Sequence, residues 1–146
     1  MSKKIFGSGP KNAKVVLIGE APGAEEEKQG KPFVGRAGKF LTKELEKFGL
    51  KKDEFYITNL VKKRCIGPPK KHEVKKAIPE LINEIKKIKP KVIVLLGKTS
   101  IENVPKNLAQ IYIEIPHPSA AMRFPKQKEK FEIGLKLLKN LLAKIE

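Results

Sequence analysis

The chain has 146 residues, 40% of them hydrophobic, and it carries 32 Lys and Arg against 16 Asp and Glu. This length predicts one domain over residues 1–146, and the composition excludes an intrinsically disordered chain. No apolar run reaches the roughly 20 residues that span a bilayer, and the start, MSKKIFGSGP, lacks the apolar core of a secretory signal. We therefore predict a cytoplasmic protein without a membrane partner.

The net charge of +16 predicts a polyanionic partner. A thermophile-like surface rich in lysine and glutamate is the alternative, but it does not explain two basic residues for each acid. The single cysteine, Cys65, excludes a disulfide within the chain and a cysteine-ligated iron–sulfur cluster. With two histidines, a zinc site is also disfavoured. Charge thus favours a nucleic acid as the partner.

Apolar runs and helical patterns alternate along the chain. Short runs rich in apolar and β-branched residues predict strands over residues 15–18, 55–61, 92–96 and 111–115. Helical spacing predicts helices over 40–48, 74–88 and 131–145 and a helical turn at 99–104, with Pro79 kinking or restarting the second helix. The alternation predicts an α/β fold in which a parallel sheet is covered on both faces. Ligands of such sheets bind beyond the carboxyl ends of the strands.

The segment after the first strand, GEAPGAEEEKQGKPFVGRAG, is about twenty residues long, which is long for a connection. Glu20 follows the strand and is placed to activate water or to offset a developing positive charge, or else it caps a helix. Phe33 stacks on a planar ligand or anchors the loop in the core. Glu25, Glu26 and Glu27 are assigned to solvent. Residues 35–38 begin a helix, whose free N–H groups suit a phosphate.

Two further strand ends carry polar side chains. Asn59 offers an amide donor and acceptor that match the edge of a base, or it ends the strand by bonding to the backbone. His117 stands between Pro116 and Pro118, which orient its imidazole as an electrophilic donor requires, or it is an incidental part of a rigid turn. His72 and Cys65 are assigned no role.

The motifs GEAPG, GKPFVGRAG, FYITNLVK and HPS occur in this order between about residues 6 and 123. In these motifs and their order, the chain resembles the uracil-DNA glycosylase superfamily, most closely its family 4. The resemblance implies a three-layer α/β/α sandwich with a four-stranded parallel sheet. It also implies hydrolysis of the N-glycosidic bond of uracil, or of another deaminated base, flipped out of DNA, which leaves an abasic site for base excision repair.

By the same resemblance, the catalytic residues are Glu20, Asn59 and His117. Gly19, Ala21 and Phe33 complete the base-binding site, together with Asn59 and His117. DNA contacts are assigned to Arg36, Lys62, Arg64, Ser119, Met122 and Arg123. Among these, Ser119 holds a phosphate, and Met122 and Arg123 fill the hole left by the flipped base. A monomeric enzyme acting on damaged DNA is expected.

The chain departs from family 4 at the iron–sulfur cluster of that family. Lys63 takes the place of one cluster cysteine, the cysteine-bearing N-terminal segment is missing, and residues 104–111 look too short for the other cluster region. We therefore expect no cofactor and no metal.

Other functions stay open. A non-catalytic nucleic-acid-binding module on the same fold is the main alternative, and a small-molecule or nucleotide-binding domain is disfavoured by the lack of GxGxxG or GxxxxGK[ST]. A branch of the superfamily bonds covalently to DNA through a histidine, and His72 lies roughly at that place. The preferred base and the preference for single or double strands are left undecided.

Overall fold

A computed structural model describes residues 3–145. Its four strands form one sheet in the order β2-β1-β3-β4, and every neighbouring pair is parallel. The strands are β1 Val15–Gly19, β2 Tyr56–Asn59, β3 Val92–Leu96 and β4 Ile111–Ile115. The predicted four-stranded parallel sheet is confirmed. β2 is shorter than the predicted 55–61, because the amides of Leu60 and Val61 bond to the carbonyls of Gly19 and Glu20, beyond the end of the strand ladder.

Six α-helices connect and cover the strands. They are α1 Ala24–Gln29, α2 Arg36–Lys47, α3 Lys71–Ile88, α4 Lys98–Asn103, α5 Pro118–Arg123 and α6 Pro125–Ile145. Helices α1 and α5 lie in segments that we predicted to be loops. The predicted restart at Pro79 is wrong, because α3 runs through this residue; the ring is exposed, so the missing N–H lies on the solvent side. Among residues 3–145, no helix is both long enough and apolar enough to cross a bilayer.

The core lies on both faces of the sheet, because successive strand residues point to opposite sides. On one face, Val15, Leu17 and Val94 pack with Leu41 of α2 and Phe131 of α6. On the other face, Val16, Ile18 and Ile93 pack with Leu81 and Ile85 of α3. Three layers result, and the predicted α/β/α sandwich is confirmed.

The strand order fixes where a ligand can bind. From β1 the chain moves to β2 on one side and then crosses to β3 on the other, so the order reverses between β1 and β3. At such a reversal the loops leaving the two strands diverge and open a crevice at their carboxyl ends. The residues at this edge are Gly19, Asn59, Gly97 and the segment after Ile115.

Candidate active site

Gly19 brings two of the predicted site residues together. It is in register with Asn59 on the neighbouring strand. A Cβ at Gly19 would overlap the ring of Phe33 and would lie 2.6 Å from Asn59 Oδ1. The missing side chain therefore allows the Phe33 ring and the Asn59 amide to meet at the end of β1.

Glu20 is fixed at the reversal point of the sheet. Its Oε2 accepts a hydrogen bond of 2.5 Å from Thr99 Oγ1 in α4, across the gap between β1 and β3. Its own carbonyl accepts from Val61 N at 2.9 Å. The preceding carbonyl, of Gly19, accepts from Ser100 Oγ at 2.9 Å. Glu20 is therefore a half-buried carboxylate in a set position, and it caps no helix.

His117 is held by the turn that it begins. It is the N-cap of α5, and its Nδ1 accepts the backbone N–H of Ser119 at 3.1 Å, with Ser119 Oγ at 2.8 Å. Because Nδ1 accepts an N–H, it carries the lone pair, and the proton of the neutral ring is on Nε2. Burial lowers the pKa of His117, and the charge of Glu20 opposes that shift. The imidazole is thus a neutral ring with one N–H left to donate.

Gly97 lies close to His117 and helps to fix the position of its side chain. At φ +89° Gly97 adopts a backbone conformation that favours glycine, and a Cβ there would lie 2.9 Å from His117 Cβ. The end of β3 therefore packs directly against the histidine, whose direction is set from both sides.

Asn59 presents an unused amide. The residue is 3% exposed. Outside the strand ladder its backbone carbonyl contacts Lys62 Nζ at 2.5 Å, and within residues 3–145 no hydrogen bond uses its side chain. Buried amides normally have partners, so this one is free for a ligand. The alternative that Asn59 ends the strand by bonding back to the backbone is not seen.

Phe33 has an unusual backbone. Its φ of +53° is a left-handed conformation, which is uncommon outside glycine and is concentrated at functional sites. Lys52 Nζ donates to its carbonyl at 3.2 Å, and its backbone packs so tightly on Gly38 that no Cβ would fit there. The ring is buried and its centroid lies 6.3 Å from that of His117, at 30°. Phe33 is therefore both a core anchor and a neighbour of the site.

The acidic run after β1 is not all solvent-facing, as we had predicted. Glu26 is half-buried and closes the loop: its carboxylate accepts from the backbone of Gly23 at 3.0 Å, Val34 at 2.9 Å and Gly35 at 2.6 Å. It therefore occupies the Gly35 N–H that we had considered for a phosphate. Glu27 pairs with Arg64 at 3.5 Å.

The residues predicted to contact DNA fall into two groups. Arg36, Arg64, Ser119, Met122 and Arg123 are exposed, and Ala21 is half-buried beside Glu20. Lys62 is different: it is 4% exposed, and its ammonium is paired with Glu84 at 2.7 Å. The prediction that Lys62 contacts DNA is therefore wrong, because its charge is neutralised inside the protein. His72 is exposed on α3.

Sequence reasoning missed four residues that hold this site. Thr99, Ser100 and Lys52 were not singled out, and Glu26 was assigned to solvent. A signal existed for the first two, since polar residues directly after β3 lie at the same carboxyl edge as Glu20. No pattern in the sequence marks Glu26 or Lys52, whose partners are backbone atoms of a loop.

The arrangement combines a carboxylate, a free amide and a neutral imidazole N–H at the carboxyl ends of β1, β2 and β4. The model of the family described as the uracil DNA glycosylase superfamily matches residues 6–139. The chain belongs to this superfamily. Proteins named type-4 uracil-DNA glycosylase from Archaeoglobus fulgidus, Sulfurisphaera tokodaii and Pyrobaculum aerophilum are 34%, 37% and 32% identical to it. These matches cover 96%, 86% and 90% of this chain and 82%, 59% and 79% of the relatives.

The iron–sulfur cluster of family 4 in this superfamily does not fit the donors of this chain. Such clusters are held by thiolates, usually four, and the sequence has one cysteine. Cys65 has its Sγ 3.7 Å from Glu73 Oε2, and burial raises the pKa of its thiol, an effect that Glu73 strengthens. Within residues 3–145, no three His, Cys, Asp or Glu side chains are grouped to hold a metal ion.

Proposed function

We propose that the protein is a monofunctional uracil-DNA glycosylase, which hydrolyses the N-glycosidic bond of uracil, or of another deaminated base, in DNA. The observation that carries this proposal is the buried, unpartnered amide of Asn59, next to Phe33 at the end of β1. A module that only holds the DNA backbone has no use for an amide that is withdrawn from the surface. The superfamily relation supports the same conclusion.

The base-binding steps follow from the chemistry of the pocket. The target base leaves the stack and binds at the end of β1, against the Phe33 ring and the Asn59 amide. The Phe33 ring offers a stacking face, and the Asn59 amide offers one acceptor and one donor side by side. These match the N3–H and O4 of uracil. Cytosine presents the opposite order of donor and acceptor, so a fixed amide orientation selects uracil.

Bond cleavage places opposite charges on the two fragments. When the C1′–N1 bond breaks, its electron pair goes to the base, which becomes a uracil anion, and the sugar gains oxocarbenium character. His117 donates its Nε2 hydrogen to the O2 of the departing base and stabilises that negative charge. A neutral donor suffices because it is preorganised by Ser119 and is partly shielded from water.

The carboxylate of Glu20 acts on the sugar side. Held by Thr99, it offsets positive charge at C1′ and orients the water that adds there. Addition of water at C1′, followed by loss of one of its protons, gives the abasic sugar, and protonation of the uracil anion gives free uracil. No step needs a cofactor or a metal.

Exposed basic side chains near the carboxyl ends of the strands bind the DNA, and the net positive charge of the protein attracts it. Arg36, Arg64 and Arg123 contact phosphates together with Ser119, and Met122, 38% exposed on α5, fills the space left by the base. A net charge of +16 makes this binding strongly salt-dependent. The predictions of one domain, a monomer and a cytoplasmic location belong to the same proposal.

The test is base release from oligonucleotides that carry uracil, hypoxanthine or xanthine, each single-stranded and paired. Products are resolved after alkaline cleavage of the abasic site, and DNA binding is measured in parallel. We expect release of at least uracil. Binding of all oligonucleotides without release of any base would instead support the nucleic-acid-binding module, which the net charge favours.

A further inference from the structure

A groove of about 1140 Å³ lies away from the candidate active site. It runs between the segment of residues 4–11, β2 and α3. Lys62 and Glu84 line it, as does Lys63, which stands in place of a cluster cysteine of family 4. The groove therefore includes one position at which the chain differs from that family.

A buried ion pair holds the two sides of this groove together. Lys62 Nζ lies 2.7 Å from Glu84 Oε1, and the two side chains are 3% and 14% exposed. Glu84 Oε2 accepts from Tyr56 OH at 2.7 Å and from Thr58 Oγ1 at 2.9 Å. Lys62 Nζ also contacts Thr58 Oγ1 at 3.0 Å. The pair thus ties α3 to β2.

A buried pair of this kind contributes little net stability. Burying two charges costs several kcal/mol for each ion, which the attraction between them roughly offsets. Burial lowers the pKa of Lys62, and Glu84 opposes the shift, so each group depends on the other. Apolar side chains would fill the same space at no electrostatic cost, so the charges point to a role in fixing a geometry.

Further bonds attach the N-terminal segment to this region. Ile5 N donates to Lys62 O at 2.8 Å, which attaches the N-terminal segment to the residue before Lys63. Lys4 pairs with Glu80 of α3 at 2.8 Å. A hydrogen bond and an ion pair therefore hold the N-terminal segment against the residue before Lys63 and against α3.

The ion pair is linked to the candidate active site by a single contact, which Lys62 makes. Lys62 Nζ contacts the backbone carbonyl of Asn59 at 2.5 Å, and Asn59 is the last residue of β2. Past Asn59, the amides of Leu60 and Val61 still bond to the carbonyls of Gly19 and Glu20 on the β1 side. The ammonium therefore holds the peptide that carries the free amide, on the side opposite to Gly19.

We propose that Lys62 and Glu84 are positioning residues for base recognition, holding the Asn59 amide in the place where it meets the base. This inference rests on the proposed function, since Asn59 reads the base there. Lys62 touches neither substrate nor reacting atoms. It acts through Asn59, so removing Lys62 and removing the Asn59 amide should not have independent effects.

The test compares Lys62→Met with Lys63→Met. Both variants lose one positive charge at neighbouring positions, but Lys63 is exposed and its ammonium makes none of the ion pairs found in the described part of the chain. Under single-turnover conditions with saturating enzyme, we expect Lys62→Met to release uracil about tenfold more slowly and Lys63→Met to stay within about twofold of wild type. Equal rates for Lys62→Met and wild type would overturn the proposal.

A mutant cycle separates positioning from a general loss of stability. If Lys62 acts through Asn59, Lys62→Met should change the rate of Asn59→Ala by less than about twofold. If the rate of the double variant instead falls by the product of the two single reductions, the two residues act independently, which would contradict the proposal. The side-chain amide signals of Asn59 in ¹⁵N NMR should shift in Lys62→Met and not in Lys63→Met.

Glu84→Gln keeps the proposal testable if Lys62→Met does not fold. It preserves the shape of the side chain and leaves the ammonium without its counter-charge. We expect the same slow release and the same dependence on Asn59, whereas Glu80→Gln, which breaks the partly exposed pair with Lys4, should behave as wild type. Wild-type release by Glu84→Gln would refute the inference. Failure of the wild-type protein to release any base would instead refute the proposed function.

Discussion

Thr99 Oγ1 donates a hydrogen bond of 2.5 Å to Glu20 Oε2, across the reversal point between β1 and β3. This bond is the one side-chain link found in residues 3–145 between α4 and the carboxylate of Glu20. It makes Thr99 a positioning residue for Glu20 in the proposed reaction.

Replacing Thr99 tests that relationship. Thr99→Val keeps the shape but removes the donor, so Glu20 should rotate away and the single-turnover rate should fall about tenfold or more, with little change in DNA affinity. Thr99→Ser keeps a hydroxyl and should restore most of the rate. An equal loss in both variants would show that the methyl packing, and not the hydrogen bond, matters.

The pH dependence follows from His117. Burial lowers its pKa below 6.5, so the unfolded chain binds this proton more readily than the folded one. The contribution to stability is therefore complete above pH 6.5 and is lost as the pH falls through the lowered folded pKa. Protonation at Nδ1 also breaks the bond from Ser119 N.

We accordingly expect the single-turnover rate to stay level through pH 6.5 and to fall only as the pH drops through the lowered pKa of His117. NMR titration of the His117 ring, with the urea-unfolded protein as reference, should give the lower value for the folded state. A His117 pKa that is higher in the folded than in the unfolded protein would contradict the assignment of a neutral Nε2–H donor. A cleavage rate that rises on acidification would contradict it as well.

The hydrogen bonds of Glu26 to the loop backbone should contribute to the stability of the protein. Glu26→Ala leaves the backbone N–H groups of Gly23, Val34 and Gly35 without their acceptor, which should lower the free energy of unfolding by about 1–3 kcal/mol. Glu25→Ala is the control, because Glu25 is exposed and bonds only to Gln29 among the described residues. Urea unfolding measures the stability of both variants. Equal unfolding midpoints for Glu26→Ala and Glu25→Ala would rule out the role of Glu26 in closing the loop.

The sequence predicted the layers and the strand-end residues because both depend on local patterns. Apolar runs mark strands that are buried on both faces, and polar residues after them, such as Glu20 and Asn59, must lie at one edge of a parallel sheet. Roles that depend on contacts far along the chain were not predictable. The family resemblance assigned Lys62 to DNA, whereas its charge is paired with Glu84 of α3, which is distant in the sequence. Glu26 looked solvated because its partners are backbone amides.

Gly19 tests the base pocket itself. Gly19→Ala places a methyl group against the Phe33 ring and Asn59 Oδ1, so the two groups that are expected to contact the base have to shift. Uracil release should fall at least about tenfold, and inhibition by free uracil should weaken in parallel. Gly67→Ala is a useful comparison, because a Cβ there meets nothing within 4 Å although its φ of +71° makes the change strained. Retention of uracil inhibition in Gly19→Ala would place the base elsewhere.

The most direct test of the account is single-turnover release of uracil from DNA by the wild-type protein, Asn59→Ala and His117→Ala. Asn59 supplies base recognition and His117 supplies the donor to the departing base, so each variant should be slower by about tenfold or more while still binding DNA. Release by the wild-type protein with this loss in both variants is the predicted result. Near-wild-type rates in both variants would contradict the assignment of the active site.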